Sequence, residues 1–180
     1  KIPAGYQNTG EFGDKFREFV QFQYGNTDIV RAFSNSQVFL DQQVLRSLDL
    51  SAREVQETLA AELLGYSDIQ EVYTGYQMRN MEYTEGMAAI LQNGFHQKRS
   101  GDVLIVPSVA TPDYSPTGST HGSPYIYDTH VPLIFFGKGI QRGRSTRRTY
   151  IRDIAPTLAV LLGTAYPSGA TGLPVSEALK

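Results

Sequence analysis

Histidine is scarce in this chain, three in 180 residues, and one of the three stands where a histidine can do chemistry. His121 lies in residues 118–140, GSTHGSPYIYDTHVPLIFFGKGI, with Gly118 and Gly122 close on either side and Pro124 just after. Imidazole is the commonest metal ligand among side chains, and its second ring nitrogen needs an orienting acceptor. The apolar run VPLIFFG follows and ends at Gly137. The segment therefore reads as a polar, glycine-flanked loop carrying a histidine at the end of a buried strand, as α/β enzymes present metal ligands and catalytic groups. Taken alone, such a histidine is more often simply exposed. One histidine also cannot hold zinc, which takes three or four ligands.

Other residues have chemical capacity but weaker spacing. His130 follows nine residues after His121, which is no metal signature, and it enters the apolar run. It reads either as a core histidine bonded to backbone or as a group that orients His121. Asp128 is either that orienting acceptor or a residue capping the passage from loop to strand. His96, Lys98, Arg99 and Asp102 share a turn before a second apolar run, VLIV. Lys98 or Arg99 could contact phosphate. The residues alone favour a structural role, with Arg99 paired to a carboxylate and Ser100-Gly101 making the turn. Asp113 is a ligand by type only. Four arginines between Arg142 and Arg148 read as a solvated loop rather than an anion site. The 11 tyrosines are scattered, so they read as amphipathic packing rather than a stacking platform.

The elements that must position these residues follow from periodicity. Phe12, Phe16, Phe19 and Val20 predict an amphipathic helix over about 13–23, stopped at Gly25 and Asn26. Residues 29–40 predict an extended stretch with SNSQ as a turn. Ser51 with Glu54 is a capping box for a helix that turns Val55, Leu59 and Leu63 inward and ends at Gly65. Residues 69–74 predict a strand, and residues 84–92 a helix with Met87, Ile90 and Leu91 inward. Residues 103–106 and 131–136 are continuous apolar runs, as expected of strands covered on both faces. Asp153 is placed to cap a last helix, Pro156 falls in its first turn, and Gly163 closes it. Alternating strands and helices give an α/β layout. The polar stretch 108–124 is the one long loop, and loops of that length inside domains are often functional.

Composition narrows the function classes. With 41% hydrophobic and 19% charged residues, the chain has a globular rather than a disordered composition. A net charge of −2 gives no reason to expect a nucleic-acid partner. No apolar run approaches the roughly 20 residues of a membrane helix. The absence of cysteine excludes disulfides and thiolate metal sites.

The motif THGSPYIYDTHVPL resembles the last metal-binding segment of the alkaline phosphatase superfamily, in its bacterial single-chain phosphomonoesterase branch. HQKRSGDVLIV (residues 96–106), IRDIAPTLAVLLG (151–163), PSGATGLPVSEAL (167–179) and the opening KIPAGY resemble further segments of that family, in the same order. The resemblance implies a C-terminal portion of an alkaline-phosphatase-like sheet sandwiched by helices, carrying a β-α-β-α insertion. It assigns residues 1–29 to a helical segment following a metal motif, 30–95 to the inserted subdomain and 96–180 to the core. It makes His121 a ligand to one of two zinc ions that act on phosphate esters. One zinc would activate a Thr or Ser nucleophile, and the other would stabilise the leaving oxygen and activate water. The family's Asp-His-Gly and its nucleophile segment have no counterpart here. The chain is therefore expected to be part of a longer, periplasmic or secreted enzyme, with no catalytic nucleophile of its own and no activity alone. A phosphodiesterase or sulfatase-like relative, and a non-catalytic binding or scaffold module, are the alternatives.

Overall fold

A computed structural model describes residues 9–109 and 122–179. Its contacts divide the chain into two compact units, Lys1–Thr129 and His130–Lys180.

The first unit begins with α1 (Thr9–Tyr24), whose Phe12, Phe16 and Val20, four residues apart, all turn into the core. Two strands follow, β1 (Val30–Ser34) and β2 (Gln37–Leu40), paired antiparallel through a two-residue turn. Asn35 and Ser36 in that turn have φ of 50° and 55°, the left-handed pair that matches strand twist in tight hairpins. Asp41 opens α2 (Gln42–Ser47) by accepting the Gln43 and Val44 amides at 2.8 and 3.0 Å. Those two bonds hold its carboxyl below the usual range. Ser51 Oγ accepts the Glu54 amide at 3.4 Å and starts α3 (Ala52–Leu64), and Gly65 ends it. Val55, Leu59 and Leu63 are buried as their spacing predicts. Full burial of each such side chain stabilises by about 1.5–3 kcal/mol.

The chain continues through β3 (Ile69–Thr74), α4 (Gly75–Asn80), α5 (Gly86–Gly94) and β4 (Val103–Pro107). Thr74 and Gln77 cap α4 reciprocally, a T-x-x-Q signature that the sequence carries openly. In α5 the inward face is the expected one only in part: Met87 and Leu91 are half-buried, but Ile90 does not turn inward. Ala88 and Ala89 are buried and Ile90 is half exposed. Gln92 decides this: its Nε2 donates to the Met78 and Met81 carbonyls at 2.9 and 2.7 Å, and its Oε1 accepts the Tyr83 amide at 2.9 Å. With Gln92 turned inward, residues three and four positions earlier must share its face.

The four strands form one sheet in the order β1-β2-β4-β3, every pair antiparallel. Residues 103–106 are all buried, as expected of a strand covered on both faces. Val103 and Ile105 join the main core with Val38, Leu40, Leu59 and Leu63, and pleat alternation turns Leu104 and Val106 to the other face. The turn before β4 fixes the sheet. Asp102 exchanges backbone bonds with Val38 (N to O, 2.7 Å) and Gly75 (O from N, 2.7 Å). Its carboxylate accepts the Leu40 amide at 2.8 Å and Gln56 Nε2 at 3.2 Å. Gln56, itself buried, accepts the Tyr76 amide at 3.0 Å. Gly101 has no room for a side chain, since a Cβ there would lie 2.7 Å from Gln37 Cβ and 2.8 Å from the Val38 carbonyl.

In the second unit, α7 (Ile154–Leu162) follows the short helix α6 (Ile126–Thr129) of the first. Gly163 closes α7 at φ 63°, and Pro156 is buried in its first turn. Asp153 does not cap α7 with its side chain. Its two oxygens instead accept the Tyr150 amide at 2.9 Å and the Leu173 amide at 3.0 Å. Thr157 Oγ1 donates to the Asp153 carbonyl at 2.6 Å and accepts the Val175 amide at 2.9 Å. Together they tie the closing turn to the helix.

The expectation of a buried strand over residues 131–136 is corrected by the structure. The run has no strand assignment, and Val131, Ile134 and Phe136 are 69%, 80% and 101% exposed. A strand exists only through its ladder, and among the described residues no strand pairs with this run.

Asp102→Ala should lower the unfolding free energy by about 2–3 kcal/mol, because it leaves the buried Leu40 amide and Gln56 without an acceptor. Gly101→Ala should cost about 1–3 kcal/mol through overpacking. Urea titration of each variant checks both. Hydrogen exchange should find the β4 amides protected and those of residues 133–136 close to unprotected in this chain. Strong protection of 133–136 would show a pairing that the structure lacks.

Candidate metal-binding segment

His121 and Asp113 lie outside the described residues, and the residues on either side of that stretch are clear. Beyond β4, the Ser108 amide donates to the Asp68 carbonyl at 2.8 Å and Ser108 Oγ to the Ser67 carbonyl at 3.2 Å. Gly122, directly after His121 in sequence, has φ 111°, a backbone state that side chains other than hydrogen rarely adopt. The Ser123 amide donates to Asp128 Oδ2 at 2.7 Å. Tyr125 donates its hydroxyl to the Pro107 carbonyl at 2.8 Å, which fastens the segment after His121 to the end of β4. Burial pushes the Tyr125 phenol above its ordinary value, so it remains a donor at any physiological pH. Its ring stacks on Tyr127 at 5.8 Å. Ser123 Oγ is buried with no hydrogen-bond partner among the described residues, two positions along the sequence from His121.

The remaining candidates are placed as follows. Asp128 sits in the first turn of α6 and holds the Ser123 amide. His130 is exposed, so it is not a core histidine in this chain. His96 closes the turn before β4. Its carbonyl accepts the Arg99 and Ser100 amides at 2.9 and 2.8 Å, and its Nδ1 accepts the Lys98 amide at 3.2 Å. Lys98 and Arg99 are exposed, and the expected pairing of Arg99 with a carboxylate is not made among the described residues. The described residues contain no group of three His, Asp or Glu side chains able to hold a metal ion. Sequence reasoning passed over Tyr125 as ordinary packing. Its place in the sequence beside Pro124, between His121 and α6, was the available signal.

No protein-family profile matches the chain. The alkaline phosphatase PafA of Elizabethkingia meningoseptica is 34% identical over 183 residues, covering 99% of this chain and 33% of that protein. A protein of Myroides odoratus named a calcium-transporting ATPase is 30% identical over 179 residues, covering 98% of this chain and 33% of that one. The crystal structure of wild-type PafA matches with a TM-score of 0.89 at 31% identity, over 99% of this chain and 34% of that one. The chain thus spans about a third of the length of the curated relatives it matches. Related in sequence and fold along its whole length, it belongs with the alkaline phosphatases and has the α/β fold of a part of one.

Proposed function

We propose that the chain is the C-terminal part of a zinc-dependent phosphatase that hydrolyses phosphate monoesters in the periplasm or outside the cell. The observation that carries this reading is the match to PafA over 99% of the chain, together with the histidine segment that resembles the family's last metal motif. His121 is the proposed ligand, and the remaining ligands and the nucleophile are taken to lie outside this chain. Bound zinc would supply Lewis-acid stabilisation of the phosphoryl oxygens and an activated water. The described residues that follow His121 in sequence are anchored: Tyr125 fastens them to β4, and Asp128 holds the Ser123 amide. Ser123 Oγ, buried and open, is available to a partner that completes the site.

The exposed run 131–136 supports a further polypeptide as partner. Val131, Ile134 and Phe136 expose apolar side chains within six residues, a feature of interaction surfaces, and a sheet supplied by the rest of the enzyme would cover them.

The 180-residue chain should hydrolyse no aryl phosphate when zinc is added. Zinc-dependent turnover that a chelator removes would overturn the fragment reading. In the longer protein, His121→Ala should lose zinc and more activity than His130→Ala. A lost ligand removes transition-state stabilisation of several kcal/mol, whereas a lost orienting group costs about 10–100-fold. Zinc per protein and turnover, measured side by side, check this. Wild-type zinc content and turnover in His121→Ala would remove the assignment.

A further inference from the structure

Charge is divided unevenly along the chain. Residues 130–180 carry seven Lys and Arg against two Asp and Glu, whereas residues 1–129 carry nine against sixteen. Both carboxylates of the second unit are already engaged. Glu177 takes Arg147 in a two-pronged pair at 2.7 and 2.8 Å. Asp153 accepts the Tyr150 and Leu173 amides. Arg148 and Arg152 are exposed and make no ion pair among the described residues.

These two arginines are also organised. Their guanidinium carbons lie 5.3 and 4.7 Å from the centre of the same ring, that of Tyr150, and are therefore at most about 10 Å apart. The ring steadies each cation through its π face. It also gathers two like charges in one place, a cost that an anion would relieve. The backbone beneath them is fixed: Asp153 caps Tyr150, and Gly172 approaches the Arg152 carbonyl so closely that a Cβ would lie 2.2 Å away. The solvated-loop reading of the arginine run still describes Arg142 and Arg144, which have no ring contact.

We propose that Arg148, Tyr150 and Arg152 form a binding site for an oligophosphate, an anion of two or more linked phosphate groups. A guanidinium offers parallel N–H donors that match phosphate oxygens, and this geometry is rigid before the ligand arrives. Two such forks held by one ring suit adjacent phosphates of one molecule better than a single carboxylate, which could answer only one. The inference goes beyond the phosphatase reading and does not depend on it.

The test is calorimetric titration of inorganic tripolyphosphate into the 180-residue chain, stripped of metal on a chelating resin. Saturable binding should appear and weaken as salt is raised. It should fall at least about tenfold in R148Q/R152Q and change less than about twofold in R142Q/R144Q. Melting temperatures check that the variants fold. If R148Q/R152Q melts lower, R148K/R152K keeps both charges and loses the forks, and it too should bind more weakly. No binding, equal binding in the double variant, or an equal loss in R142Q/R144Q would overturn the site. Binding to phosphatidylglycerol vesicles without binding to tripolyphosphate would overturn it as well.

Discussion

The carboxylate of Asp102 is the interaction on which the first unit turns. It stands at the start of the central strand and receives groups from three other elements, the Leu40 amide at the end of β2, the Gln56 side chain of α3 and, at 3.4 Å, the Gln42 side chain of α2. Gln56 then reaches the first turn of α4 through the Tyr76 amide. Strand, helix and hairpin are thereby held in one register by a chain of part-buried polar contacts beside the apolar core. In a low-dielectric interior such a chain works only when every member is satisfied. The constraint also explains Gly101. The strand must come so close to β2 that a methyl group has no place, and the closeness is what brings the Asp102 carboxylate under the Leu40 amide.

The second unit is built on a different plan. Its closing segment is stapled to α7 by Asp153 and Thr157, both through backbone amides far along the chain. Few of its large apolar side chains are hidden. Leu158, Val160 and Leu162 of α7 are all substantially exposed, alongside Ile134 and Phe136. A helix apolar on nearly every side is normally an interior helix. Here it is not: Leu158 and Val160 are each 44% exposed and Leu162 is 73% exposed.

Most of the first unit was legible because its signals are local. Phenylalanines four apart announce α1, Ser51 and Gly65 bracket α3, and the apolar run at 103–106 announces a buried strand. The inward face of α5 was legible only in part: a glutamine with three backbone partners turns Ala88 and Ala89 inward and leaves Ile90 half exposed. The run 131–136 misled for the opposite reason. Its composition is that of a buried strand, but strand formation depends on a neighbour, and composition says nothing about whether the neighbour is present. The motif around His121 carries the resemblance, and His121 itself lies outside the described residues. The Tyr125 anchor was not legible, because a hydroxyl that caps a carbonyl 18 residues away leaves no periodic trace.

The order of strands in the sheet has a bearing on how the chain is made. β2 and β3 are not neighbours; β4, the last of the four to be synthesised, lies between them. Before it arrives, the hairpin and β3 each present an unpaired edge, with Val38 on one side and Val72 on the other waiting for partners at Val103 and Ile105. A nascent chain on the ribosome must therefore carry the open edge of β2 through the translation of α3, α4 and α5, and that of β3 through α4 and α5, and it can close neither until residue 107 has cleared the exit tunnel. That interval, during which an open edge can be captured by another chain, is written into the topology.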